Sequence, residues 1–137
     1  MKYFLKYIIS FYILICLFSC NDLNNKHITE RYYFVAADTK DNTSLGYSIN
    51  DDNSSFVDVV GETVFSVGYN NRYIIVKQHL TNNKKNTNYY IVPIYIKFNY
   101  SPEKGVIGPL SVDEFNTKSK ELHIEDIKFT ITYDDLK

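Results

Sequence analysis

Hydrophobic and polar residues alternate with a period of two through most of the chain, the spacing of half-buried β-strands. Positions 31–37 (RYYFVAA) are apolar on both faces, which predicts an interior strand. A polar turn at 38–44 leads to a short strand at 45–49, a loop at 50–55 (NDDNSS) and a strand at 56–60 ended by Gly61. Strands at 63–69 and 72–79 flank Asn70-Asn71, a two-residue connection that suggests a hairpin, because asparagine tolerates the positive φ of a type I′ turn. Positions 81–88 (TNNKKNTN) read as an exposed loop. The longest candidate strand is 89–100, with Tyr90, Val92, Ile94, Ile96, Phe98 and Tyr100 on one face. Pro93 lies on the other face and donates no hydrogen bond, so it implies an edge or a bulge. A last strand at 127–133 alternates Ile127, Phe129, Ile131 and Tyr133 with Lys128, Thr130 and Thr132, as on a sheet with one wet face.

One helix interrupts this pattern. Ser111 at the N-cap and Glu114 three residues on form a capping box, with Pro109 just before it and acidic residues in the first turn. Val112, Phe115 and Leu122 recur near one face, and Lys118 and Lys120 suit the C-terminal end of a helix at about 111–122. The elements add up to an α+β class, mainly antiparallel β: one small sheet with a helix from the second half of the chain packed on it. The other arrangement is a β-sandwich with a surface helix.

The first 20 residues follow a different rule. Lys2 and Lys6 precede a 12-residue apolar run, Tyr7 to Phe18. As a helix this run spans roughly 18 Å, short of the hydrocarbon core of a bilayer, and suits a signal-peptide core better than a membrane span. Leu17-Phe18-Ser19-Cys20 then resembles the bacterial lipoprotein box, with Leu at −3, a small residue at −1 and Cys at +1; Phe18 at −2 is bulkier than the usual small residue. The resemblance implies cleavage after Ser19 and lipid on the Cys20 thiol. The expected division is a signal peptide at 1–19, a lipidated cysteine and tether at 20–27, and a single β-rich domain at 28–137. The address is the bacterial cell envelope, lipid-anchored to a membrane and facing away from the cytoplasm. An uncleaved membrane helix and a plain secretory signal are the alternatives.

Cleavage changes the composition. The remaining 118 residues are one domain's worth of chain. They hold 13 basic against 16 acidic residues, a net charge of −3, which argues against non-specific nucleic-acid binding. Cys16 leaves with the leader and Cys20 carries lipid, so no thiol or disulfide chemistry is left to the domain.

Chemical signatures are sparse. His79 and His123 have no metal-ligand spacing and read as surface or capping histidines. There is no Gly-x-Ser-x-Gly elbow and no phosphate-cradling glycine loop. Asp51, Asn53, Ser55, Val57, Val59 and Glu62 occupy EF-hand ligand positions, but Phe56 stands where that loop needs glycine. Asp51-Asp52, Glu125-Asp126 and Asp134-Asp135 read as solvated acidic corners. No catalytic residue, metal or cofactor is expected. The domain keeps 10 Tyr and 6 Phe. Tyr32, Tyr33, Tyr73, Tyr89, Tyr90, Tyr95 and Tyr100 fall on predicted strands, where they serve as half-buried packing or as a binding platform. Tyr89, Tyr90 and Tyr95 are the candidates for the platform.

The runs Tyr73 to His79 (YIIVKQH) and Tyr89 to Val92 (YYIV), then Gly108-Pro109-Leu110-Ser111 with Glu114-Phe115 and Leu122, resemble an uncharacterised family of small bacterial lipoproteins, a domain of unknown function. The likeness covers roughly 66–124 and implies no activity. The expected role is a non-enzymatic envelope lipoprotein, an accessory or protein-binding module. An inhibitor or immunity lipoprotein against a secreted toxin or envelope enzyme, and a small-ligand or glycan binder, are the alternatives. The 81–88 loop and the 89–100 strand are the surfaces expected to bind.

Overall fold

A computed structural model describes residues 25–36, 39–80 and 83–136. The strands are β1 (Lys26–Thr29), β2 (Tyr32–Ala36), β3 (Thr43–Ser48), β4 (Phe56–Val60), β5 (Val64–Tyr69), β6 (Tyr73–His79), β7 (Thr87–Pro93), β8 (Ile107–Leu110) and β9 (Ile131–Thr132). Among the described residues the α-helix, α1, is Val112–Glu121. All strand pairs are antiparallel, in two sheets ordered β1-β2-β3-β4 and β8-β7-β6-β5-β9. The mainly antiparallel α+β class holds, with the strands divided between two sheets instead of gathered in one.

Three layers result. Tyr32, Phe34, Leu45 and Tyr47 of the first sheet meet Val64, Val67, Ile74, Val76 and Val92 of the second in the main core. The opposite face of the second sheet packs Ile75 and Ile91 against Phe115 and Ile124, so α1 lies on its outside. This explains why β6 and β7 are apolar on both faces: each face looks into a different core. A β-bulge between Val64 and Ser66 lets Val64 and Val67 point the same way despite their odd spacing.

The helix start is as read. Ser111 Oγ accepts the Glu114 backbone N–H, and Glu114 accepts from the Ser111 N–H at 2.8 Å, which holds the Glu114 carboxyl below its ordinary pKa. Val112, however, is exposed; Phe115 and Ser119 form the buried stripe. The helix ends in a Schellman motif, with His123 N–H to Lys120 O and Ile124 N–H to Ser119 O. His123 takes the left-handed position at φ 54°.

Other boundaries differ for physical reasons. Lys26 and His27, expected in the tether, belong to β1. The Asn70-Asn71 hairpin forms without positive φ; Asn70 Oδ1 accepts the N–H groups of Arg72 and Tyr73 and closes the turn instead. The strand expected at 89–100 starts at Thr87 and stops at Pro93. Ile94 N–H still bonds Arg72 O, so the Pro93 nitrogen faces the β8 side, where pairing has ended at Ile91–Ile107. The strand expected at 127–133 shrinks to Ile131–Thr132. Its apparent stripe splits: Ile127 and Phe129 pack under α1, whereas Ile131 and Tyr133 pack into the main core.

Candidate functional site

The two ends of the sandwich differ. One end is where the described chain enters: Lys26 pairs with Phe34, Ala36 pairs with Thr43, and Thr63 Oγ1 bonds Asp41 O. Thr63 and His79 exchange backbone hydrogen bonds there, joining the link between the sheets to the end of β6. The other end gathers Arg31, the 49–55 loop, the Asn70-Asn71 turn and the segment after Pro93. Ser48 N–H to Arg31 O, Tyr32 Oη to Pro93 O and Ile94 N–H to Arg72 O tie these pieces together. We call it the tip.

Five large apolar residues stand exposed at the tip: Ile49, Tyr69, Ile96, Phe98 and Tyr100. Among the described residues, Leu80 and Val112 are the exposed ones elsewhere. Tyr100 is 91% exposed and Ile96 74%. Both arginines of the chain, Arg31 and Arg72, are at the tip. Arg31 pairs with Asp51 and lies 5.3 Å from the Phe98 ring centre. Arg72 lies 5.7 Å from the Tyr73 ring centre.

The segment carrying these side chains is irregular but held. Tyr95 Oη donates to Lys104 O at 2.6 Å, Asn99 N–H donates to Tyr47 Oη at 3.0 Å, and Ser101 N–H donates to Asn99 Oδ1 at 3.0 Å. Pro102 is buried. Tyr47 itself is buried and meets Tyr32 edge-on at 5.1 Å, so the tip is braced from the main core outward.

The sequence candidates fall elsewhere. Cys20 and the 1–19 leader lie outside the described residues. Tyr89 stacks on Phe115 in the helix-side core, and Tyr90 turns to the other face, its hydroxyl donating to Gln78 Oε1 at 2.9 Å. With Tyr95 committed to Lys104, these three tyrosines share no surface. Successive residues of a strand face opposite ways, which rules out Tyr89 and Tyr90 as one platform. In the 81–88 loop, residues 83–86 form a turn and Thr87 already belongs to β7. The exposed aromatic group begins where β7 was expected to continue. The signal for it was Pro93, which ends the strand and frees Ile96, Phe98 and Tyr100 from the alternation.

His79 is a correction: it is buried, not a surface residue. Its ring stacks on Phe65 at 4.2 Å, Nδ1 lies 3.3 Å from Asn86 O, and Nε2 has no partner among the described residues. It borders a cleft of about 330 Å³ with Asp41, Thr63, Lys84 and Leu136. A second cleft of about 340 Å³ runs along α1, and the buried Ser119 Oγ beside it is likewise unpartnered among the described residues. Neither orphan atom is open to solvent. The EF-hand-like residues do not converge either, because Asp51 and Glu62 lie beyond opposite ends of β4. Asp52 instead is held by the Ser54 side chain and accepts the Ser54 N–H, which together keep its carboxyl below the usual range. Among the described residues no three His, Cys, Asp or Glu side chains gather in a metal-binding group.

A family profile described as a protein of unknown function, DUF3997, matches residues 30–136. No curated protein and no solved structure matches the chain. The profile takes in every strand from β2 onward, together with α1, the tip and both clefts. The chain thus belongs to the DUF3997 family of proteins of unknown function.

Proposed function

We propose that the protein is a lipid-anchored component of a bacterial envelope that acts by binding another protein and catalyses no reaction. The observation that carries this reading is the separation of two features along the sandwich. The lipobox cysteine, Cys20, lies six residues before Lys26, where β1 begins at one end. Fully extended, that stretch spans about 20 Å, so a lipid on Cys20 would hold the entry end close to the membrane. The exposed aromatic and arginine side chains stand at the opposite end, the composition of an interaction surface. A glycan platform suits the tip less well, because the Phe98 and Tyr100 rings stand at 88° and form no shared flat face for a sugar.

Intact-mass analysis of the membrane fraction tests the anchor. The wild-type chain is expected there without residues 1–19 and heavier by the mass of its lipid, while Cys20→Ala retains the leader. A wild-type protein found in the membrane with Met1 to Ser19 still attached would overturn the reading in favour of an uncleaved helix.

A further inference from the structure

The exposed side chains of the tip stand on a segment whose geometry is already set. Tyr95, Asn99 and Ser101 each make the hydrogen bond described above, and Ile94 N–H is fixed to Arg72 O at 2.8 Å. Phe98 is occupied by Tyr47, by the Arg31 guanidinium and by the edge of Tyr100 at 4.8 Å. What remains facing outward is Tyr100 and Ile96. A fixed segment that holds bare aromatic and aliphatic groups in water has met the ordering cost of binding beforehand, which is the hallmark of an interface anchor. Arg72 adds a direction: Arg31 is neutralised by Asp51, but no carboxylate among the described residues lies within ion-pair distance of Arg72.

We propose that the tip is the docking surface for a partner protein, which receives Tyr100 and Ile96 in an apolar socket and sets a carboxylate against Arg72. This deepens the function proposed above and rests on it. Three other occupants fit worse. A bilayer would meet the exposed Arg72 and Lys97 as well as Asp52, so charge does not exclude it; the anchor does, because a lipid on Cys20 at the entry end would point the tip away from that membrane. A second copy joined tip to tip would place the two entry ends at opposite extremes, so the two Cys20 anchors would not share one membrane. A sugar would find no two coplanar rings, because Phe98 and Tyr100 stand edge to face.

The test places a benzophenone amino acid at position 100, 96 or 80 of the full-length chain in the cells that make it. Leu80 is exposed at the entry end and serves as the comparison. Positions 100 and 96 are expected to cross-link to one and the same protein at one site, and position 80 is not. Adding Arg72→Glu should lower that yield at least tenfold without moving the thermal unfolding midpoint. Reversing the charge of the partner carboxylate nearest the cross-link should restore it. Cross-links to lipid, to a second copy or equally from position 80 would overturn the proposal, as would no cross-link or a yield indifferent to Arg72→Glu. Palmitate-analogue labelling in the same cells separates the two readings: label without a tip cross-link refutes the docking surface alone, and a tip cross-link without label refutes the anchor alone.

Discussion

Tyr32 Oη donates a hydrogen bond to Pro93 O at 2.9 Å, across 61 positions of sequence and from one sheet to the other. Pro93 lacks an N–H but keeps its carbonyl, and that carbonyl ends β7 with a buried tyrosine as partner. The bond therefore couples the main core to the start of the tip. Tyr32→Phe keeps the ring and its edge-on contact with Tyr47 but leaves the carbonyl bare. A loss of about 1–2 kcal/mol is expected, read as a lower urea midpoint at unchanged slope. Tyr33→Phe, on the outer face of the same strand, should change stability by less than about 0.5 kcal/mol.

The same tyrosine sets an alkaline limit. Burial pushes the Tyr32 hydroxyl well above its ordinary range and raises Tyr90 in the same direction. A group whose folded pKa is raised gives stability that is complete below the unfolded value and lost as pH climbs above it. Unfolded tyrosine ionises near about pH 10 while the buried hydroxyls hold their protons, so stability should fall from about pH 10 upward. Urea midpoints measured from neutral to strongly alkaline pH check this. Tyr32→Phe should show a shallower decline, and an identical decline would contradict the assignment.

Of the five glycines, Gly68 lies nearest to another stretch of backbone. A Cβ there would lie 1.9 Å from Lys128 O, backbone against backbone. Thr130 N–H to Val67 O and Tyr133 N–H to Phe65 O strap the last segment onto β5 at this point. Gly68→Ala should cost about 1–3 kcal/mol and speed amide exchange at Thr130. Gly61→Ala meets nothing within 4 Å and should be close to neutral.

His123 occupies the left-handed residue of the Schellman motif, a position that suits glycine. Its side chain is exposed. His123→Gly should raise stability by up to about 1 kcal/mol in a denaturation series. A destabilised variant would mean that the imidazole supports the helix end in a way this geometry does not account for.

Local chemistry was legible in the sequence where one residue fixes its neighbours. Ser111 with Glu114 gave the helix start, Gly61 the end of β4, and Asn70-Asn71 the place of a turn, though not its closing bond. Alternation failed where it had to report on more than one core. Positions 127–133 alternate cleanly, yet Phe129 serves the helix layer and Ile131 the core between the sheets. β8 was hidden by Gly108-Pro109, a pair that reads as a strand end although it sits inside Ile107–Leu110. His79 looked like a surface residue because nothing local records its stacking on Phe65. The tip was misread for a related reason: the even-numbered apolar positions continue past Pro93, but the backbone that would carry them as a strand does not.

The proposed orientation of the chain depends most on a lipid on Cys20 holding its entry end. Metabolic labelling with an alkyne-bearing palmitate analogue, comparing the full-length chain with Cys20→Ala, measures this directly. The wild type should carry label and the variant none. Equal label in both, or none in the wild type, would contradict the account.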